Sequence, residues 1–300
     1  MKLALGPVLY YWQQDALREF YARISGAPVD IVYLGETVCS RRHAFRLEDW
    51  LETGEMLVAA GKEVVLSSQA LIESESDLKA LRRLAGNGRF AVEANDMGAV
   101  RLSSGKPFVV GPHINTYNQQ TLELLAELGA ARWVIPMETS RQMLSAMLDA
   151  KPSGMETEVF VYGRLPLSFS ARCFTARHYN LPKDDCQFRC LDHPYGLTLK
   201  TREGQPFLAL NGIQTQSSGI YNLVEELADI EQLGVNVVRI SPQPGHTEDI
   251  LSLFRKVLEG DLHGPAAVQL MAQWMPDASC NGYWHSQAGM KQVNASAAST

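Results

Sequence analysis

Runs of strand length in this chain are apolar along nearly their whole extent, and segments of helical period stand between them. "KLALGPV" (2–8), "VDIVYLG" (29–35), "KEVVLSS" (62–68), "FAVEAN" (90–95), "PFVVGPH" (107–113), "ARWVIP" (131–136), "TEVFVYG" (157–163) and "VNVVRIS" (235–241) are of this kind. A strand apolar on both faces must be covered on both faces, which is the condition of a parallel sheet wrapped by helices. The intervening amphipathic segments, 13–25, 47–61, 73–88, 118–129 and 139–150, supply the cover, and Gly61 and Gly129 stand where helix C-termini are wanted. Repeated β-then-α order over eight strands predicts an α/β fold, an irregular (β/α)8 TIM-type barrel.

Two spacings break the regularity. Only a short segment, 96–106, separates the fourth and fifth strands, whereas about seventy residues separate the seventh and eighth. This insertion, about 165–234, contains a hairpin pattern at 197–212 and a helical pattern at 218–234. The domain reading is one barrel-like unit over 1–292, with 293–300 a disordered tail of small polar residues. With 46% apolar residues the chain can bury a large core, and its net charge of −6 gives no broad footprint for nucleic acid. No run reaches the roughly 20 apolar residues of a membrane span. The start, "MKLALGPVLYYWQQD", lacks a small-residue cleavage site and reads as a first strand. The expectation is a cytoplasmic chain with reduced thiols, and five cysteines suit no disulfide framework.

Three of those cysteines, Cys173, Cys186 and Cys190, lie in the insertion among Arg and Lys. Insertions at the C-terminal ends of barrel strands are where such folds carry function. Spacing alone leaves open a zinc site, an iron–sulfur cluster or unconnected thiols. His178 and His193 are the local candidates for a fourth ligand. Cys39, just past the second strand, would share a rim with the insertion. Flanking Arg41, Arg42, Arg172, Arg177, Lys183 and Arg189 suit an anionic occupant such as a thiolate-bound cluster, or are solvated loop charges. Strand ends on the same rim carry Glu36, Glu93, Asn95, His113, Asn115, Glu138, Arg164, Arg239 and Ser241, of which His113 is a candidate proton donor or a hydrogen-bonded structural group, and Glu36 with Glu93 a candidate carboxylate pair or helix-cap and loop acids. The other histidines, at 43, 246, 263 and 285, form no evident metal cluster, and neither an H-E-x-x-H helix nor a G-x-S-x-G elbow is present, so proteolysis is not expected.

"EVFVYGRLPLSFSARC" (158–173) resembles the signature of the collagenase-like U32 peptidases, and "YLGETVCSRR", "CFTARHYNLPKDDCQFRC", "LNGIQT" (210–215) and "DASCNGYW" (277–284) resemble a cluster-carrying branch of that family. The resemblance implies a 4Fe-4S cluster on Cys39, Cys173, Cys186 and Cys190, with Cys280 a structural thiol. Pro166 stands where other members have a cysteine, and in this branch the residue matching Cys39 replaces it. The branch implies oxygen-independent hydroxylation in ubiquinone biosynthesis, as a heterodimer with a UbiU-like chain. Prephenate would be the hydroxyl donor, a ubiquinone precursor the acceptor, and a lipid-binding accessory protein a further partner. Alternatives are RNA-base hydroxylation, which an acidic chain disfavours, and a non-catalytic cluster-carrying scaffold.

Overall fold

The computed structural model describes residues 1–294. Strands β1 (Lys2–Leu5), β2 (Ile31–Leu34), β3 (Glu63–Ser67), β4 (Ala91–Ala94), β5 (Phe108–Val110), β6 (Ala130–Val134) and β7 (Glu156–Gly163) run parallel, each beside the next. Between them lie α1 (Gln14–Ser25), α2 (Leu47–Ala59), α3 (Glu75–Ala85), α4 (Met97–Ser103), α5 (Gln119–Glu127) and α6 (Arg141–Asp149). After β7 the chain leaves the barrel through β8 (Pro166–Phe169), the short helix α7 (Phe174–His178), β9 (Leu197–Lys200), β10 (Pro206–Asn211), β11 (Gln214–Ser217) and β12 (Ile220–Asn222). It returns through α8 (Leu227–Gln232) to β13 (Val237–Ile240), which pairs in parallel with both β1 and β7 and closes the barrel. Helices α9 (Thr247–Leu258) and α10 (Gly264–Met271) and the short β14 (Ser279–Cys280) complete the described chain.

The apolar runs become strands for the reason the pattern gave. Ile31, Val32, Tyr33 and Leu34 are all fully buried, their alternate side chains facing the barrel axis and the helix layer. Ala4, Ile31, Tyr33, Val65, Val109, Val134 and Val237 fill the interior as one cluster, and a larger cluster lies between strands and helices. Helix starts follow capping chemistry. Ser74, Asn118 and Ser140 accept the N3 amide of α3, α5 and α6, and Asp96 accepts Gly98 N–H at the start of α4.

Segment 96–106 is the short connection expected between β4 and β5 and carries its own helix, α4, because Asp96 caps it and Ala99 and Val100 are buried. One expectation is corrected. Segment 218–234 is helical only at Leu227–Gln232. Its first part is β12, where Tyr221 pairs with Gly163 of β7 and Ile220 with Ser279, so sheet pairing overrides the local helical period. At the C-terminus, Val293 N–H donates to Asn281 Oδ1 (2.7 Å). The rest of the expected tail, 295–300, lies outside the described residues. The hairpin expected at 197–212 is present as β9 and β10, in a four-stranded antiparallel sheet ordered β8-β11-β10-β9.

Candidate functional site

The loop after β2 and the insertion after β7 meet at the C-terminal rim. Gly35 takes φ +142° there, and a Cβ on it would stand 2.4 Å from Ser67 O, so only glycine lets β2 turn outward against β3. Glu36 then accepts the amides of Val38 (2.9 Å) and Cys39 (3.0 Å), which fixes the loop that carries the first thiol. Cys39 and Cys173 pack on one apolar cluster of Leu9, Val38 and Ile213. Cys173 is also the N-cap of α7, its Sγ taking Ala176 N–H at 3.4 Å. Between Cys186 and Cys190, Gln187 and Phe188 both take left-handed backbone (φ +50° each). For L-residues this costs on the order of 1 kcal/mol apiece, so the conformation is held by its surroundings. Phe188 packs on Tyr11 (5.4 Å), and the Arg189 guanidinium lies over the Tyr179 ring (5.2 Å).

Arg42 sits among these thiols. It is 4% exposed, donates to Leu9 O (2.8 Å) and Asn211 Oδ1 (2.7 Å), and stands 3.7 Å from Glu36. Its charge acts on both Cys39 and Cys190, and Cys190 in turn interacts with Cys173 and Cys186, so the four sulfurs share one electrostatic neighbourhood. Burial pushes the Cys39 thiol up to about 11 and raises that of Cys190, with Arg42 opposing in both cases. All five cysteines are free thiols. The Nε–H groups of Arg41, Arg42 and Arg189 are buried without an acceptor. Among the described residues no three His, Cys, Asp or Glu side chains converge tightly enough for a single metal ion.

Cys280, by contrast, is 2% exposed in β14, and its thiol is raised to about 11 by burial and by Asp277, with Arg164 opposing. The two local histidines are otherwise engaged: His193 Nε2 meets Tyr179 OH at 2.7 Å, and His178 stacks edge-on against the same ring.

The remaining rim residues divide. Glu36 is a loop acid, as above. Glu93 is fully buried and belongs to an interior ion network: Arg239 donates to Glu93 (2.6 Å) and to Glu158 (2.6 Å), Tyr33 OH donates to Glu158 (2.5 Å), and the Arg239 guanidinium lies 3.9 Å from the Tyr33 ring centre. Burial opposes the charge on Arg239, but Glu158 and Glu93 outweigh it and hold its pKa well above the ordinary value. Arg132 joins from β6, donating to Tyr33 OH at 3.1 Å. Arg164 is buried and held by the carbonyls of Ser217 and Ser218, while Asn115 and Glu138 are exposed, with Tyr117 OH bonded to Glu138. His113 stacks edge-on against Phe169 (4.8 Å), and burial lowers its pKa to about 4.

Sequence reading did not single out Glu158, Tyr33, Arg132 or Thr37. A signal existed for the first: a carboxylate inside "TEVFVYG" is out of place in a strand buried on both faces unless paired.

The model of peptidase family U32 matches residues 17–292. The chain belongs to that family. Among solved structures it is similar to the U32 peptidase Mk0906 at 12% identity, with 82% of this chain and 94% of that chain covered and a TM-score of 0.46. It is also similar to tryptophan synthase from M. tuberculosis (12% identity, 91% and 90% covered, TM-score 0.40) and to dihydrodipicolinate synthase from Aquifex aeolicus (7% identity, 91% and 80% covered, TM-score 0.39). The barrel assignment rests on the closed strand ladder itself. Among the described residues no helix is long and apolar enough to cross a membrane.

Proposed function

We propose that this chain is a UbiV-like member of the U32 family: the iron–sulfur subunit of an oxygen-independent hydroxylase in ubiquinone biosynthesis, working as a heterodimer with a UbiU-like chain. The observation that carries the reading is four free thiols in one electrostatic neighbourhood on the rim, with the buried Arg42 guanidinium acting on two of them. Cys39, Cys173, Cys186 and Cys190 would hold a 4Fe-4S cluster, which supplies one-electron chemistry when bound.

The donor set fits such a group on two counts. Soft thiolates suit iron–sulfur chemistry, and the buried positive charge of Arg42 beside Cys39 and Cys190 suits an anionic occupant. Arg42 would also favour the deprotonated thiolates needed for binding, against the burial that keeps Cys39 and Cys190 protonated without metal.

The partner reading has its own support. Leu167, Phe174, Leu191, Tyr195, Leu199 and Phe207 are large apolar side chains exposed on the insertion. Exposed apolar side chains mark an association surface where they join into one patch, and six on one insertion are the material for it. Prephenate, a ubiquinone precursor and a lipid-binding accessory protein belong to the same proposal.

The test is iron and sulfide analysis of protein purified without oxygen. Wild type should carry about four irons. Cys39→Ala should lose iron to the same extent as Cys186→Ala, and Cys280→Ala should keep it. Full iron in Cys39→Ala, with loss in His193→Ala, would overturn the ligand set, and a zinc-loaded colourless preparation would overturn the cluster.

A further inference from the structure

A crevice of about 590 Å³ opens between the first turn of α2 and the face of α3, beside the loop that carries Cys39. Its walls are largely apolar. Leu47 and Trp50 stand on the α2 side, Ile72 in the loop after β3, and Ala80, Leu81 and Leu84 on α3. Leu47, Ile72 and Leu84 are only half-buried by the chain itself, so part of their apolar surface is left to the crevice. Space of this size, apolar with a few polar groups, is the form small-molecule sites take. On α3 the lining runs from Ser76 to Leu84, about 12 Å at the helical rise, which is the extended length of about ten carbons.

Charge defines the other end of the ligand. Every carboxylate on the lining is engaged within the chain: Glu36 takes two loop amides and lies 3.7 Å from Arg42, Glu48 is paired with Arg83 (2.6 Å), and Asp77 accepts the amides of Glu73 and Ser74 (3.1 Å each). Arg42 and Arg83 are taken up in those same pairs. Arg46 is different. Its backbone N–H is held by Asp49 (2.9 Å) at the start of α2, but its exposed guanidinium has no carboxylate partner among the described residues. On an open surface water would serve it. At the rim of an apolar crevice, an anion with an apolar body satisfies the guanidinium and the walls together.

We propose that this crevice binds a monomeric anionic amphiphile of fatty-acid type, its carboxylate on Arg46 and its chain along the α3 face against Leu47, Ile72 and Leu84. A cationic head would be repelled by Arg46, and a neutral one would leave it without a counter-charge. Apolar side chains that line a recess cannot enter a bilayer, so the occupant is a single molecule and not a lipid surface. None of the five cysteines lines the space, so the site goes beyond the cluster reading and does not rest on it.

The probes are decanoate, hexanoate, decanol and decyltrimethylammonium, each below its micellar concentration, titrated calorimetrically into the full chain purified without oxygen. Decanoate should bind, with decanol and decyltrimethylammonium at least tenfold weaker and hexanoate, four methylenes shorter, at least twentyfold weaker. Arg46→Gln should weaken decanoate about tenfold and leave decanol unchanged, and Arg46→Lys should recover most of the loss. Ala80→Trp puts an indole into the space from an exposed helix position and should abolish decanoate binding. Melting scans on the same samples should match wild type; if the indole disturbs the fold, Arg46→Gln carries the test. The proposal is overturned if decanoate does not bind, if decanol or the cation binds as well as decanoate, or if Arg46→Gln has no effect. It is also overturned if a folded Ala80→Trp binds like wild type, which would put the amphiphile on the exposed side chains of the insertion, or if the protein binds phosphatidylglycerol vesicles and no monomer. Iron content measured on these samples should equal wild type, so failure of the cluster reading would register there and not in the binding data.

Discussion

Individual side chains at the centre of this barrel are set by pairing rather than by apolarity. Arg239 can be 3% exposed because Glu93 and Glu158 face it and Tyr33 covers it. Glu158 can be fully buried because Arg239 and Tyr33 both donate to it. His113 shows the opposite solution, a group kept neutral. Its ring is packed against Phe169, burial lowers its pKa to about 4, Arg239 acts in the same direction and Glu93 against it. In the unfolded chain a histidine titrates near 6.5. Between those values the unfolded state binds a proton that the folded state does not, so stability is complete above about 6.5 and falls as pH drops towards about 4. The residue is only half-buried, which trims the loss to on the order of 2 kcal/mol. Urea titrations from pH 7.5 to 4 should show this component, and His113→Gln should abolish it. An unchanged pH slope in the variant would place the loss on other groups.

Among the elements, legibility followed how local the determining forces were. β2 could be read because all four of its residues are buried on both faces, and α3 because its apolar positions recur at helical period within 73–88. Segment 218–234 misled because its strand character comes from two partners, Gly163 and Ser279, that lie far away in sequence. The loop that carries Cys39 depends on a third kind of determinant, close backbone approach at Gly35. Gly35→Ala places a methyl carbon against Ser67 O and forces a left-handed region on a residue with a Cβ. A clash with backbone cannot be relieved by a rotamer, so the ladder between β2 and β3 must shift. The expected cost is about 2–4 kcal/mol in chemical denaturation, with faster amide exchange at Val38 and Cys39, whose N–H groups Glu36 holds. A variant as stable as wild type would show that the loop can rearrange freely.

At the scale of the whole molecule, eight apolar runs were enough to give the barrel, because closure needs only their number, their order and their helical cover. What those runs could not give is the mouth, since Thr37, Asn95, Arg239 and Ser241 become neighbours only when β13 closes against β1 and β7. The thiols were partly legible: three share one segment, while Cys39 arrives through the rim. The insertion's outer surface was not legible, because Leu199 and Phe207 sit in strands whose alternation alone does not reveal which face stays bare. β9 is an edge strand, open to pairing on its free side, and Leu199 and Phe207 remain 45% and 41% exposed on the sheet it ends. Substituting both by Lys should leave folding stability within about 0.5 kcal/mol, as expected for exposed positions, and should keep iron content intact. Co-purification with a UbiU-like chain should then fall by at least an order of magnitude, because two buried ammonium groups would have to be desolvated in an apolar contact. If the double variant co-purifies like wild type, the partner binds another face of the barrel, and the exposed apolar side chains of the insertion serve something else.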